Sequence, residues 1–381
     1  MEQQTGIQSA QPRNYSLDLL RILAMWMIVC LHILGHGQIL EIASAKNYYL
    51  LEVLRFCCVI AVNLYVLISS YFLCTQKFRP SKLLRLYLEV VFYGVIIYLW
   101  AVFSGRASLS IGNLLFGCLT PISSKEYWFV SAYAILYLLT PLLNRLIKGL
   151  NKRQHLFALL GLLFLFSIWK DVYPYDNVFN LHNGYSFEWF VILYFLGSFL
   201  RLYADPSKWK LPILWYFACS FLLVGIDIFF PELVAAIPKA DAWQAHFVRY
   251  NSFLTLLSST FLFVAFLKLD IKRKASQRLI RLFAPLTFGV YLIHDNFYFR
   301  PFLWKELLQT QNYPAASIRL VPMVLGTATL VFLTCLLLDF LRSLLFSIWE
   351  KRESWRKALD RFDRFVLGIF AKLAHLLEPK L

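Results

Sequence analysis

Long hydrophobic runs separated by short polar stretches make up most of this chain. A window of about 19 residues identifies ten such runs. They lie at 17–40, 48–73, 83–103, 127–147, 155–169, 187–204, 211–230, 247–268, 284–300 and 318–341. All but the fifth are long enough, as helices, to cross about 30 Å of hydrocarbon. The pattern therefore predicts an all-α, polytopic membrane helix bundle of about ten transmembrane helices.

The composition supports this class and excludes an ordinary soluble domain. Of 381 residues, 59% are hydrophobic and 16% are charged, and the mean hydropathy is +0.60. The seven cysteines mostly lie within the apolar runs, and no C-x-x-C or Cys/His ligand spacing occurs. Neither a disulfide framework nor a zinc site is therefore indicated.

The distribution of charge predicts the orientation. The chain carries 38 Lys and Arg against 22 Asp and Glu. These cations lie in short loops between apolar runs rather than on a soluble domain, which argues against nucleic acid as a partner. The loops between helices on one side hold 17 Lys and Arg, and those on the other side hold nine. The positive-inside rule then predicts a multi-pass cell-membrane protein with both termini in the cytoplasm.

Three segments follow from this reading. Residues 1–16 form a cytoplasmic N-terminal segment, 17–341 the transmembrane domain and 342–381 a cytoplasmic amphipathic tail. The first apolar run is too long for a signal-peptide core, so we expect it to stay attached. One apolar stripe runs along the tail: Trp355, Leu359, Phe362, Val366, Ile369, Leu373 and Leu376. Such a helix either lies flat on the inner leaflet or packs against the bundle, and a short coiled coil is a weaker third interpretation.

Ionisable residues lie on the first apolar run, LDLLRILAMWMIVCLHILGH, from Leu17 to His36. Arg21 and His32 are eleven residues apart, so on a helix they share one stripe, roughly 16 Å apart along the axis. Asp18 lies within pairing reach of Arg21. Ionisable groups are costly in a bilayer and are usually paired, in a cavity or functional. The alternatives are that Arg21 extends to the headgroups and that His32 is a packing residue.

A metal site is the less favoured interpretation of the two histidines. His32 and His36 have the i, i+4 spacing of a helical metal pair, but no acidic or cysteine partner is evident in the sequence. We therefore predict no metal. A proton relay in a transporter or flippase would use the same set of residues. The residues alone therefore support a transporter and a membrane enzyme almost equally.

Four stretches resemble the integral membrane O-acyltransferases of acyltransferase family 3. SLDLLRILAMWMIVCLHI resembles the family's first helix with its Arg-x10-His. The others are NLYVLISSYFLCTQKFRPSKLLRLYLEVVFYGVIIYL, YWFVSAYAILYLLTPLLNRLI, and YNSFLTLLSSTFLFVAFLKL followed by FAPLTFGVYLIHDNFY. The resemblance covers roughly residues 13 to 341. Two departures occur: Lys82-Leu-Leu-Arg85 replaces the usual Arg-x-x-Arg, and Ser69-Ser70 replaces the usual Ser-Gly.

The resemblance implies a reaction and its two substrates. An acyl group, commonly acetyl, would move from cytoplasmic acyl-CoA to a hydroxyl of a cell-surface glycan or its lipid-linked precursor. Acyl-CoA would be a co-substrate rather than a permanently bound cofactor. A non-catalytic binding domain on the same fold is an alternative. The oligomeric state stays open, with a homodimer among the options.

The resemblance also implies roles for particular residues. His32 would be the general base or the acyl-carrying nucleophile, with Arg21 and Asp18 completing the catalytic set. Cations of the loop after the second helix would hold the donor phosphates: Arg79, Lys82 and Arg85. Their alternative reading is ordinary loop charge, which fits Arg79 best. A lysine at position 82 keeps the charge but loses the bidentate guanidinium fork.

Weaker candidates for the acceptor site are polar residues within the bundle or at its predicted outer side. They are Asn63, Glu126, Tyr127, Trp128, Asn251 and His294. Asn63, mid-way along the second helix, could instead make a hydrogen bond within the bundle. Trp128 could stack on a sugar ring, or it could belong to an interfacial aromatic belt. His294 is predicted at about the depth of His32, so it either lines the site or makes a helix–helix hydrogen bond.

Overall fold

The computed structural model describes residues 13–120, 127–173, 178–233, 247 and 249–377. Helix is the only regular secondary structure in these ranges, which confirms the predicted all-α class. The main helices, in chain order, are α1 (Tyr15–Gly35), α2 (Ala45–Leu73), α3 (Pro80–Phe103), α4 (Trp128–Gly149), α5 (Lys152–Val172), α6 (Phe187–Tyr203), α7 (Pro212–Leu233), α8 (Phe253–Leu267), α9 (Lys274–Phe283), α10 (Thr287–His294), α11 (Leu320–Glu350) and α12 (Glu353–Leu377).

Seven helices of the described part are long and apolar enough to cross a membrane, namely α1 to α5, α7 and α11. The shorter α6, α8 and the successive pair α9–α10 lie among them in the bundle. The chain is therefore a multi-pass membrane protein. We call the end of the bundle where α1 begins the N face, and the opposite end the far face.

Side-chain contacts show that successive helices run in opposite directions. At the N face, Asn144 near the end of α4 donates to the Leu73 carbonyl at the end of α2 (3.0 Å), and Arg201 near the end of α6 donates to the Tyr71 hydroxyl (3.2 Å). At the far face, the Tyr127 hydroxyl, next to the start of α4, donates to the Leu292 carbonyl near the end of α10 (2.8 Å). Counting α9–α10 as one pass, the described helices alternate between the two faces ten times.

Two of the predicted runs end earlier than expected. The first was expected to reach residue 40, but α1 ends at Gly35 because the chain turns there, with Gln38 at a left-handed φ of 58°. The prediction of one helix over 284–300 is wrong, because α10 ends at His294. Asn296 stabilises the turn that follows, since its side-chain oxygen accepts from the Tyr298 backbone N–H (3.0 Å).

A buried charged network joins α3, α10 and α11. Asp339 is fully buried and accepts from the Tyr93 hydroxyl (2.8 Å) and from Nε of Arg342 (2.6 Å). Arg342 also contacts Glu89 at 3.1 Å. Gly289 of α10 lies so close to Asp339 that a Cβ there would collide with the carboxylate. Each buried charge therefore has a partner, as burial in an apolar bundle requires.

The last two helices differ from the predicted tail boundary, because α11 continues to Glu350 before α12 begins. The α12 helix packs against α3 at the N face. Asp363 is buried and accepts from the Ser81 backbone N–H (2.6 Å) and hydroxyl (2.8 Å), so it caps the start of α3. Leu359 is buried on the same side, whereas Phe365 is exposed. The tail therefore packs against the bundle over this stretch.

Candidate active site

Two histidines from distant parts of the chain meet near the far end of α1. Nδ1 of His32, in the last turn of α1, lies 2.8 Å from Nε2 of His294, the last residue of α10. The His294 side chain is fully buried, and the His32 side chain keeps about 20% of its surface exposed. His32 is therefore the member of the pair that a substrate can reach.

The hydrogen bonds of this pair define which nitrogens carry protons. Nδ1 of His294 lies 2.6 Å from the Val290 carbonyl oxygen, which can only accept, so this nitrogen is the donor. With both rings neutral, Nε2 of His294 is then an acceptor, and His32 must donate to it from Nδ1. The remaining nitrogen, Nε2 of His32, carries a lone pair. The arrangement leaves His32 ready to accept a proton or attack a carbonyl carbon.

A carboxylate and a guanidinium border the two imidazoles. Asp295 Oδ1 lies 3.7 Å from His32 Nδ1 and 3.5 Å from His36 Nε2, and it accepts from Arg300 at 3.1 Å. His36 lies just outside α1; partial burial lowers its pKa, the Arg300 guanidinium lowers it further, and Asp295 acts in the opposite direction.

Asp295 also supplies the acidic neighbour that the sequence argument against a metal did not find. One ligand atom each from His32, His36 and Asp295 lie within 4.8 Å of one another. These residues form a group that could hold a metal ion, although Nδ1 of His32 is engaged by His294.

An aromatic cavity opens beside His32 at the far face. Its volume is about 430 Å³, and both His32 and His36 line it. Trp128 and Tyr250 are nearly parallel within it, with ring centroids 6.2 Å apart, and Tyr185 contacts both rings. Three guanidinium groups complete the lining: Arg55, Arg249 and Arg300. We call this space the far-face cavity. Flat aromatic and polar surfaces of this kind suit a sugar.

A second cavity lies on the N-face side of the bundle. This N-face cavity has a volume of about 290 Å³ and is lined by Arg21, Arg85 and Glu89 among apolar and hydroxyl-bearing side chains. Asp18 accepts from Arg21 (3.2 Å) and from Arg13 (2.5 Å). The predicted pairing of Asp18 with Arg21 is therefore present, and it fixes the guanidinium at the cavity.

A narrow space lies between these two cavities and shares lining residues with each of them. This neck has a volume of only about 40 Å³. It shares Tyr65, Phe129 and Phe288 with the N-face cavity, and it shares His32 and Trp128 with the far-face cavity. The stripe of α1 predicted from Arg21 to His32 thus runs from one cavity to the other.

The predicted phosphate-binding cations border a third space at the N face. This tail cavity, of about 560 Å³, lies between the start of α3 and the α11–α12 junction and is lined by Arg79, Lys82 and Arg85. Arg85 lies 3.8 Å from Glu350, and Lys82 donates to Gln76 at 2.9 Å. Arg79 is engaged by the tail, with Asp360 at 3.4 Å and Asp363 at 3.3 Å. Arg85 borders both the tail cavity and the N-face cavity.

The remaining predicted residues lie in the bundle rather than at these cavities. Asn63 donates to the Tyr250 carbonyl (2.8 Å) and accepts from the Trp189 indole (3.0 Å). Asn251 donates to the Asn180 carbonyl (2.6 Å). Glu126 lies outside the described residues, and the Tyr127 hydroxyl bonds to α10. The Asn63 amide thus joins α2 to α6, and the Asn251 amide joins two connecting segments.

Sequence reasoning missed the other members of the far-face cavity. Asp295 and Arg300 have no assigned role in the sequence analysis, although both line this cavity. Tyr185 and Tyr250 lie in different loops, so no local pattern in the sequence brings them next to Trp128.

Comparison with known proteins identifies one family. Residues 14–341 match a family model described as an acyltransferase domain, that of acyltransferase family 3. This match confirms the resemblance drawn from the four stretches. No curated protein and no solved structure matches the chain.

Proposed function

The chain belongs to acyltransferase family 3, and on this premise we propose that it is an O-acyltransferase of the cell membrane with both termini in the cytoplasm. It moves an acyl group, most simply acetyl, from cytoplasmic acyl-CoA to a hydroxyl of a cell-surface glycan or of its lipid-linked precursor. The N face would then be cytoplasmic, in agreement with the excess of Lys and Arg in its loops.

One observation carries this proposal: His32 lies between the neck, where the donor would arrive, and the far-face cavity, where the acceptor would bind. His32 lines the neck and the far-face cavity, and its Nδ1 is engaged by His294. Nε2 is thus the nitrogen left for chemistry, and His32 lies where reactants arriving from opposite faces would meet.

The donor would enter from the N face. The tail cavity and Arg85 offer positive charge to the phosphates of CoA, and Arg21 lies further along the same route. The uncharged pantetheine arm would then extend through the N-face cavity and carry the thioester to the neck. The acceptor sugar would stack against Trp128, Tyr185 or Tyr250 in the far-face cavity.

The reaction then needs one proton transfer in each direction. His32 Nε2 takes the proton of the acceptor hydroxyl as the oxygen attacks the thioester carbonyl carbon. The new C–O bond forms, the C–S bond breaks, and the thiolate of CoA leaves with the proton that His32 returns. His294 accepts from Nδ1 of the imidazolium and Asp295 lies within 3.7 Å of the same atom, so both favour the positive charge that develops.

Substitution of His32 tests the proposal. His32→Ala should lower acyl transfer by about two to four orders of magnitude, the usual effect of losing a general base, and leave CoA binding near the wild-type value. Transfer is measured from radiolabelled acetyl-CoA to glycans in membranes, and binding by calorimetry on the same purified variants. His36→Ala, which removes a neighbouring imidazole without touching the His32–His294 bond, is the matched control and should be milder.

Retained transfer in His32→Ala would contradict the catalytic role and favour a binding domain or a proton-relay transporter. The alternative chemistry, in which His32 itself carries the acyl group, has a separate readout. It predicts exchange of labelled free CoA into acetyl-CoA without an acceptor, whereas general-base catalysis predicts none.

A further inference from the structure

The C-terminal tail forms one wall of the tail cavity. Lys351, at the end of α11, and Arg356, in the first turns of α12, line the cavity opposite the start of α3. The family model ends at residue 341, so both residues lie beyond it. Whatever these two cations bind is therefore a property of this chain's own C-terminal segment.

The charges lining this cavity are strongly unbalanced. Five cations line it: Arg79, Lys82, Arg85, Lys351 and Arg356. Two carboxylates, Glu350 and Asp360, oppose them, which leaves an excess of three positive charges. Like charges gathered around one space repel each other, and an anion in that space relieves the repulsion. A compact anion with several charges is the ligand that fits.

The ion pairs in the cavity are weak enough for an anion to compete with them. Arg85 and Glu350 are 3.8 Å apart, and their side chains are 49% and 41% exposed. Arg79 and Asp360 are 3.4 Å apart and are more exposed still. Exposed pairs of this kind contribute little to stability, whereas hydrogen bonds from guanidinium to phosphate are among the strong ones.

The tail is also held firmly enough to present its cations. The buried Asp363 caps the start of α3 through the Ser81 backbone and hydroxyl, and Leu359 is buried one turn earlier. Arg356 lies one turn before Leu359, and its Nε donates to the Glu350 carbonyl (3.5 Å). The backbone that carries both tail cations is thus fixed relative to the first turns of α3, which carry Lys82 and Arg85.

We infer that the C-terminal segment is part of the donor site, and that Lys351 and Arg356 bind phosphate groups of acyl-CoA together with Lys82 and Arg85. This inference rests on the proposed function for the identity of the donor. It adds that the donor site is incomplete without the tail. A tail that only anchored the bundle would have no need of cations facing this cavity.

Binding of CoA to purified full-length protein tests the inference. The double variant Lys351→Ala/Arg356→Ala should bind CoA about tenfold or more weakly than wild type, and raising the salt concentration should reduce that difference. The matched control is Lys357→Ala/Arg361→Ala, which removes two charges from the same segment. Neither control residue lines the cavity, and Lys357 pairs with Glu353 on the exposed surface. The control should bind CoA as wild type does.

A donor without phosphates separates phosphate binding from a general effect on the fold. Transfer from acetyl-pantetheine should be the same in wild type and both double variants, because the tail cations have nothing to bind. Equal CoA affinity in the two double variants would overturn the inference. It would also be overturned if the Lys351/Arg356 variant lost transfer from acetyl-pantetheine as much as transfer from acetyl-CoA.

Two further outcomes are distinguishable. If Arg85→Ala weakens CoA binding and the Lys351/Arg356 variant does not, the inference fails and the proposed function stands. If the wild-type protein binds no CoA, both the inference and the proposed function fail. Titration of the detergent-solubilised protein with short-chain phosphatidylglycerol covers the other source of phosphate. A tail variant that loses binding of this lipid but keeps its CoA affinity would assign the cavity to a lipid headgroup and overturn the inference.

Discussion

The contact between His32 and His294 gives the sharpest test of how the site works. His294→Ala removes the acceptor 2.8 Å from Nδ1 of His32. The two tautomers of His32 then compete, and the imidazolium formed during the reaction loses a hydrogen-bond partner. A hydrogen bond to a charged group contributes about 1.5–3 kcal/mol, so we expect kcat to fall about ten- to 150-fold.

The fall should be confined to the chemical step. His294 is fully buried behind His32 and lines none of the described cavities at the N face, so the KM for acetyl-CoA should stay within about twofold of wild type. The measurement is a steady-state transfer assay at varied acetyl-CoA, with thermal unfolding recorded on the same preparations. His294→Gln offers a carbonyl oxygen to Nδ1 of His32 and should recover part of the lost kcat.

Two results would refute this reasoning. A kcat for His294→Ala within twofold of wild type would mean that the contact does not orient His32. A glutamine variant no more active than the alanine variant, with both unfolding at lower temperature, would mean that His294 only fills space at the end of α10.

Three other predictions concern the fold. Asp363→Ala should lower the free energy of unfolding by about 1–2 kcal/mol, the usual effect of losing a helix cap. It should also expose α12 to limited proteolysis, and an unchanged digestion pattern would contradict the docking of the tail. Gly289→Ala should lower the unfolding temperature because its Cβ would collide with Asp339. Gly326→Ala is the control and should unfold as wild type does, since its Cβ meets open space. Equal unfolding temperatures for the two variants would refute the close packing. Single cysteines in the connection 268–273, between α8 and α9, should react with a membrane-impermeant reagent only after the cytoplasmic side is opened. Labelling of intact cells would reverse the predicted orientation.

The sequence predicts most of the helices and half of the candidate site. Arg21 and His32 belong to one helix, so helical geometry alone puts them on one stripe and gives their separation. The partner of His32 comes from a position 262 residues later, and no local pattern encodes that contact. The sequence suggested only that His294 lies at a similar depth.

The errors have a physical origin in the same region. An apolar run that continues past a helix end looks like helix throughout, so the break after His294 was missed. The turn at Asp295 and Asn296 depends on hydrogen bonds to distant residues, such as that from Asn296 to the Tyr127 hydroxyl (2.7 Å). Asp295 was therefore predicted within a helix, when it lies in the turn beside both His32 and His36.

The small size of the neck bears on how such a protein keeps its membrane insulating. A volume of about 40 Å³ leaves room for only a few water molecules, since a cavity needs about 10–15 Å³ to hold one. Much of its lining is apolar, including Met25, Ile28 and Val62, and narrow hydrophobic constrictions of this kind exclude water and block ion flow. The wider cavities on either side can therefore fill with solvent without letting ions cross the membrane and dissipate the transmembrane voltage. Substitutions that widen the neck, such as Met25→Ala, should therefore raise the ion conductance of the membrane.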